Sequence, residues 1–193
     1  MTDNMKWEIL SSQYIYKDGW FTARKDRCKM PSGKIVDPYY ILEYPNWVNA
    51  VALTATGNIL MIRQYRHALG ETIIEIPGGS MDPADESPEF AMKRELSEET
   101  GYEFESIERI GEISPNPSTN SNLTYMFIAK GGKKVTEQHL DPNEEIEVAE
   151  MKPEEVMKLL NENKIKQSLH ATCLFYAFLK MGWINYSEKC QEA

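Results

Sequence analysis

The sequence of 193 residues has few cysteines and no excess of basic charge, and each absence excludes a class of protein. Its three cysteines, Cys28, Cys173 and Cys190, lie far apart and form no Cys-x-x-Cys pair. We therefore expect neither a disulfide framework nor a zinc site. The 21 lysines and arginines stand against 30 aspartates and glutamates, and this net charge of -9 disfavours nucleic acid as a partner.

The sequence also has no long hydrophobic run. The longest charge-free apolar stretch, residues 167–179, is short for a bilayer and suits a buried helix. The first eight residues are too polar to supply the apolar core of a signal peptide. We therefore expect a soluble cytoplasmic protein with no membrane partner, in which the 41% of apolar residues build a globular core.

The amino-terminal part of the chain differs in pattern from the rest. Aromatic and β-branched residues recur there between turn signals, and a Pro-Ser-Gly turn at residues 31–33 separates two strand-like segments. This pattern predicts a small antiparallel β subdomain over residues 1–45. A second domain is expected over residues 46–193.

Strand-like and helix-like segments are mixed in the second domain, which predicts an α/β fold. The predicted strands span residues 47–53, 59–65, 72–76, 107–113, 123–129 and 146–151. Two of the predicted helices span residues 153–162 and 168–181. A polar loop covers residues 114–122, and an acidic loop covers residues 141–145.

Another predicted helix carries a cluster of acids. Ser87 can cap its first turn, and Gly101 suits the left-handed residue that follows its last turn. Within this helix an arc of about 100° carries three carboxylates. They belong to Glu95, Glu98 and Glu99. Such a cluster is either a solvated acidic face or a set of hard oxygen ligands for Mg²⁺ or Mn²⁺.

The segment before this helix favours the second interpretation. A strand ends in Glu75-Ile-Pro-Gly-Gly79, where we expect a sharp turn. Glycine lets a backbone carbonyl approach a ligand closely, and the helix carboxylates would lie beside it. The sequence therefore predicts a divalent-cation site. An EF-hand is excluded because no Asp-x-Asp-x-Asp-Gly loop precedes the helix.

Residues 79–102 resemble the signature of the Nudix family, Gly-x5-Glu-x7-Arg-Glu-U-x-Glu-Glu-x-Gly-U, in which U is aliphatic. The residues in register are Glu86, Arg94, Glu95, Leu96, Glu98, Glu99 and Gly101. Six residues rather than five separate Gly79 from Glu86, and Tyr102 stands at the last aliphatic position. The resemblance implies the α/β/α sandwich of that family, preceded here by the antiparallel subdomain.

The resemblance also implies a division of roles. The three helix glutamates and a backbone carbonyl near Gly78 would bind Mg²⁺ or Mn²⁺, and Glu86 would pair with Arg94 to hold the loop on the helix. Gly79 and Gly101 would be structural positions of the motif. A net-negative protein repels a diphosphate unless cations bridge the two, and such cations polarise phosphorus and activate water. The implied reaction is metal-assisted hydrolysis of a nucleoside diphosphate linked to another group.

Candidates for substrate binding and for the general base lie outside the motif. The run from Arg63 to Arg66 resembles one of the ADP-ribose and nucleotide-sugar pyrophosphatase branch, and arginine suits phosphate. Solvated residues at a strand end are the alternative interpretation. Similar pyrophosphatases take a base from a late loop, which suggests Glu144 or Glu145 here. Glu98 is the competing base.

The sequence thus favours a Mg²⁺-dependent hydrolase that cleaves ADP-ribose or a related nucleoside diphosphate sugar into a nucleoside monophosphate and a sugar phosphate. GDP-mannose or another nucleotide sugar is the close alternative. A Nudix-fold module that senses a nucleotide without hydrolysing it is an alternative of a different class, against which the intact acidic triplet counts. The resemblance further implies a homodimer whose appended sheet helps to shape the nucleoside pocket.

Overall fold

The computed structural model describes residues 5–19 and 21–185, so Cys190 lies outside the described residues. Contacts divide the chain into two units. One unit comprises Met1–Asn46 with Ser114–Leu123, and the other comprises Trp47–Ile113 with Thr124–Ala193. The polar loop at residues 114–122 thus belongs to the first unit, whereas the sequence pattern assigned it to the second domain. Cys28 and Cys173 are free and buried.

The first unit contains an antiparallel sheet, as predicted. Its strands are β1 (Glu8–Lys17), β2 (Thr22–Lys29) and β3 (Ile35–Glu43), in the order β1-β2-β3. Gly33, in the predicted turn between β2 and β3, has a φ of 85°, which glycine adopts readily. The polar loop packs on β3, because the Leu42 N–H donates to the Thr119 carbonyl at 2.7 Å.

The second unit contains a mixed sheet and helices. Its strands are β4 (Trp47–Thr54), β5 (Ile59–Arg66), β6 (Glu71–Glu75), β7 (Gly78–Ser80), β8 (Tyr102–Glu103), β9 (Ser106–Ile113), β10 (Thr124–Lys134) and β11 (Ile146–Met151). The helices are α1 (Pro88–Thr100), α2 (Pro153–Asn161) and α3 (Ser168–Lys180). The central order is β11-β5-β4-β10-β8, and β4 and β10 run parallel. No helix of the described ranges is long and apolar enough to cross a membrane.

The central strand β4 buries both of its faces. Val51 and Leu53 join one apolar cluster with residues of α2 and α3, whereas Ala50 and Ala52 join another cluster with residues of α1. Successive side chains of a strand point to opposite faces, so these helices cover both sides of the sheet. The predicted α/β/α sandwich is confirmed.

Helix α1 begins and ends where its caps predict. The Phe90 N–H donates to Ser87 Oγ at 3.1 Å, and Gly101 has a φ of 73° at the carboxyl end. A Cβ on Gly101 would collide with the Thr136 carbonyl oxygen. Glycine is therefore needed here both for the left-handed conformation and for the close passage of a second segment.

The predicted sharp turn at the two glycines is wrong. Gly78 and Gly79 lie in β7, which pairs with β4 in antiparallel register, and neither has a positive φ. A Cβ on Gly78 would lie 2.8 Å from the Asn49 Cα atom and would also collide with the Val48 carbonyl oxygen. Glycine is required here because two strands approach closely, and not because the chain turns.

Candidate active site

The three glutamates on α1 share one arc but differ in exposure. Glu99 is 3% exposed, whereas the side chains of Glu95 and Glu98 are 12% and 42% exposed. Glu95 and Glu99 are thus largely desolvated. Glu98 lies at the solvent side of the cluster, where a ligand or water can reach it.

Strand β7 contacts the two buried carboxylates directly. The Gly78 N–H donates to Glu99 Oε2 at 2.8 Å. A Cβ on Gly79 would lie 2.6 Å from Glu95 Oε1, so the absence of a side chain at this position makes room for that carboxylate. The structure therefore brings together four residues that the sequence assigned to the metal site or its support.

Burial dominates the electrostatics of this pair. It raises the pKa of Glu95 to about 7, although Arg94 opposes the shift. It also raises the pKa of Glu99 well above its ordinary value, and the neighbouring Glu95 charge adds to this effect. Adjacent buried carboxylates hold their negative charge poorly unless a positive charge compensates it.

This donor set fits a divalent cation in its chemistry, because carboxylate oxygens are the hard ligands that Mg²⁺ and Mn²⁺ prefer. Within the described part of the chain, however, no three acidic, histidine or cysteine side chains converge closely enough to hold an ion as they stand. Arg94 Nη1 lies 3.0 Å from Glu95 Oε1 and 2.8 Å from Glu98 Oε2. Glu98 would have to exchange this ion pair for the cation.

Arg94 pairs with Asp85, and the expected pair with Glu86 is wrong. The Arg94 Nε and Nη2 atoms donate to the two Asp85 oxygens at 3.1 and 3.0 Å, and Nη2 also donates to the Ser80 carbonyl at 3.0 Å. Glu86 is exposed. The extra loop residue is the reason, since the five residues that the signature places between its glycine and its acid separate Gly79 from Asp85. That count was the signal that could have identified Asp85.

The acidic loop brings the charge of one of its two candidate bases within electrostatic reach of the cluster. Glu144 is partly buried, and its charge contributes to the raised pKa of both Glu95 and Glu99. Its N–H donates to the Asp141 carbonyl at 2.9 Å, which forms a turn. Glu145 is exposed. Of the two loop acids, Glu144 is therefore the one whose charge acts on the helix glutamates.

The two arginines of β5 have different surroundings. Arg66 Nε donates to Glu75 Oε2 at 2.9 Å, and its charge lowers the pKa of Glu99 against the larger effect of burial. Arg63 is 56% exposed and donates to Glu147 Oε2 at 2.7 Å. Residues three apart in a strand point to opposite faces, so one arginine faces the acidic cluster and the other faces away from it.

Sequence reasoning did not identify the support of Arg66. Glu75 is fully buried, and its Oε1 atom lies 3.7 Å from Nδ1 of the buried His170. Burial raises the pKa of Glu75, which Arg66 opposes, and burial lowers the pKa of His170 to about 3. A glutamate between isoleucines at residues 74 and 76 was the available signal, because an acid in an apolar strand needs a partner.

Two family models and several known proteins are similar to this chain over most of its length. The chain matches the family described as "NUDIX domain" over residues 44–173 and that described as "Nucleoside diphosphate sugar hydrolase N-terminal domain" over residues 7–42. The ADP-ribose pyrophosphatase of Bacillus subtilis (strain 168) is 31% identical over 174 residues, which cover 90% of this chain and 93% of the relative. The GDP-mannose pyrophosphatase of Yersinia pestis (strain Pestoides F) is 25% identical over 188 residues, which cover 91% and 90%.

A solved structure shares the fold. The crystal structure of an ADP compounds hydrolase aligns with a TM-score of 0.79 at 20% identity, and the alignment covers 93% of this chain and 97% of that chain. At this identity the likeness concerns the fold alone. The family match spans more than half of the sequence and includes α1 and β7. The chain belongs to the Nudix hydrolase family.

Proposed function

We propose that the protein hydrolyses the pyrophosphate bond of ADP-ribose or a related nucleoside diphosphate sugar and releases a nucleoside monophosphate and a sugar phosphate. The observation that carries the proposal is the buried pair Glu95 and Glu99 against the glycine strand β7. A diphosphate can approach this cluster, in a chain of net charge -9, when a cation compensates the charge. The names of the two pyrophosphatase relatives support the substrate class.

The proposed ligands of Mg²⁺ or Mn²⁺ are Glu95, Glu98, Glu99 and the backbone carbonyl of Gly78. When bound, such a cation neutralises diphosphate charge and polarises phosphorus. Arg94 keeps its two hydrogen bonds to Asp85 and so holds the loop between β7 and α1 in place. The exposure of Glu98 supports its role as the ligand that changes partner on ion binding.

We propose Glu144 as the general base, with Glu98 as the competing candidate and Glu145 as the poorer one. A base must come within hydrogen-bond reach of the attacking water. The electrostatic effect of Glu144 on Glu95 and Glu99 supports this proximity. Glu98 is also a proposed ligand of the cation, and a carboxylate that binds the cation is less available to accept a proton.

We propose Arg66 as the principal phosphate ligand and Arg63 as a weaker candidate. The Nε atom of Arg66 is held by the buried Glu75. Its two Nη groups make no hydrogen bond to any residue that the structure describes, which leaves the fork free for phosphate oxygens. Arg63 is instead engaged by Glu147 on the exposed side of β5.

We also propose a cytoplasmic homodimer that pairs through an amino-terminal domain of residues 1–45. Strand β1 is an edge strand, and all 10 of its residues are exposed. They include the large apolar residues Ile9, Leu10, Tyr14, Ile15 and Tyr16. An exposed edge strand with apolar side chains favours pairing with another chain. Light scattering should give the mass of a dimer, and a strict monomer would contradict this proposal.

The test of the proposed reaction is a panel of nucleotide sugars with purified protein and Mg²⁺. We expect ADP-ribose to be cleaved to a nucleoside monophosphate and a sugar phosphate, and chelation of the metal should abolish turnover. Preferential cleavage of GDP-mannose would keep the reaction and change the substrate. Tight binding of one nucleotide sugar without turnover of any would replace the hydrolase with a sensing module.

A further inference from the structure

The segment that follows β10 is attached to the carboxyl end of α1. The Gly101 carbonyl accepts hydrogen bonds from the N–H groups of Val135 at 2.9 Å and Thr136 at 3.2 Å. The His139 N–H donates to the Glu98 carbonyl at 2.9 Å. The last carbonyls of a helix have no partner within the helix. These bonds therefore satisfy the end of α1 and hold the following segment against it.

Gln138 lies in this segment and holds two distant parts of the backbone at once. Its Nε2 atom donates to the Glu99 carbonyl at 2.6 Å and to the Ile146 carbonyl at 3.1 Å. Glu99 is in the last turn of α1, and Ile146 is the first residue of β11. An amide nitrogen carries two N–H donors, so this side chain uses both of them for backbone carbonyls.

The two hydrogen bonds close a loop at both of its ends. We call residues 139–145 the base loop, because it contains the proposed base Glu144. Gln138 precedes the base loop and Ile146 follows it, so one amide group joins the entry and the exit of the loop to α1. Glu99 is the shared point, since its carbonyl binds Gln138 while its carboxylate binds the Gly78 N–H.

We propose that Gln138 is a positioning residue that clamps the base loop onto α1 and thereby sets the position of Glu144 relative to Glu95 and Glu99. This inference rests on the proposed function, in which Glu144 accepts a proton. Inside the loop, Glu144 is held by a hydrogen bond from its N–H to the Asp141 carbonyl. That turn orders the loop locally, but it does not fix the loop to the helix.

The clamp matters because proton transfer depends steeply on position. A base must lie within hydrogen-bond reach of its proton, and a displacement of about 1 Å can cost orders of magnitude in rate. Loss of the Gln138 donors would leave two backbone carbonyls without this partner and would break the link between α1 and the exit of the base loop. The His139 N–H would still hold the entry of the loop at the Glu98 carbonyl. Substrate binding through Arg66 on β5 does not use this segment, so kcat should change more than KM.

The experiment compares Gln138→Leu and Gln138→Glu with the wild-type protein. Neither leucine nor an ionised glutamate can donate a hydrogen bond at neutral pH, so both variants lose the two bonds. We expect faster amide hydrogen exchange in residues 139–145, unchanged exchange in β4 and β5, about a tenfold lower kcat and a KM changed less than about twofold. The matched control is Glu137→Ala. Glu137 is the neighbouring residue, and its exposed side chain pairs only at the surface with Lys134 at 3.1 Å.

A second measurement tests whether Gln138 acts through Glu144. In a Glu144→Gln background, Gln138→Leu should cause little further loss of kcat, because residues that act as one unit are not additive. An equal loss in both backgrounds would overturn the proposal, and so would unchanged exchange in residues 139–145 or faster exchange with an unchanged kcat. If the wild-type protein hydrolyses no nucleotide sugar, the proposed function fails and the positioning role falls with it, while the exchange data still report whether the clamp exists.

Discussion

Glu99 on α1 is 3% exposed and accepts a 2.8 Å hydrogen bond from Gly78, whereas the carboxylate of Glu144 in the base loop accepts a longer one, from the Asp141 N–H at 3.4 Å. The first region is desolvated and packed on β7, and the second is partly exposed. Desolvated carboxylates gain most from a compensating cation. A carboxylate on a partly exposed loop stays accessible to water. The contrast indicates separate roles for acids that share one site.

The largest effect on turnover is expected from a change in the buried acid Glu99. Glu99→Gln keeps the shape and the acceptor for the Gly78 N–H but removes the charge, so we expect turnover to fall by about 10³-fold or more and Mg²⁺ affinity to weaken. Steady-state kinetics and Mg²⁺ titration measure both. Glu89→Gln, an exposed acid in the first turn of the same helix, is the matched control. Wild-type turnover in Glu99→Gln would remove the assignment of this cluster to the metal.

The next largest effect on kcat is expected from one of the two acids in the base loop, Glu144 and Glu145. Glu144→Gln should lower kcat by about 10²-fold because a general base is lost, and Glu145→Gln should change it less than about twofold. A pH–rate profile should lose its acidic limb only in Glu144→Gln. Equal rates for both variants and the wild-type protein would leave the base loop without a catalytic role and would favour Glu98.

A smaller effect concerns the arginines on the two faces of β5. Arg66→Lys keeps the charge beside Glu75 but removes the planar fork, so we expect KM for ADP-ribose to rise by about tenfold. Arg63→Lys, the matched change on the opposite face, should alter KM less than about twofold. The assignment of Arg66 would be wrong if the two variants ranked in the opposite order.

The smallest effect is on folding. Without metal, Glu95 has a pKa of about 7 in the folded protein against an ordinary value of 4.5, so the folded state binds more protons than the unfolded state between these pH values. The free energy of unfolding should therefore fall as pH rises through this window, by roughly 2–3 kcal/mol at most. Urea unfolding in chelator at pH 5 and pH 7.5 measures this difference. Glu95→Gln should show a shallower slope, and parallel curves for the two proteins would contradict the burial of this charge.

Much of the fold was predictable because its signals are local. Caps at Ser87 and Gly101 delimit α1, a nearly continuous apolar run marks β4, and apolar residues that alternate with acids mark β11. The match to the family signature also located the acids of α1. Hydrophobic period and cap chemistry depend on neighbours within a few residues, so the sequence displays them directly.

The details of the site were less predictable because they depend on contacts between distant segments. The pattern suggested a turn at Gly78, yet the residue is glycine because β4 passes too close for a side chain. It suggested Glu86 as the partner of Arg94, yet the loop path brings Asp85 to the guanidinium. It left Glu144 and Glu145 equivalent, because neighbouring acids differ in their surroundings only once the loop is folded.

By itself, the sequence determined the order of strands and helices, the family and the type of chemistry, since these depend on residue types and their spacing. The tertiary structure decided which acids lose their water. The buried carboxylate of Glu99 accepts from the Gly78 N–H, 21 residues away, and its backbone carbonyl accepts from Gln138, 39 residues away. Charge and residue identity are properties of the chain, whereas desolvation and hydrogen-bond geometry arise only when distant segments pack together.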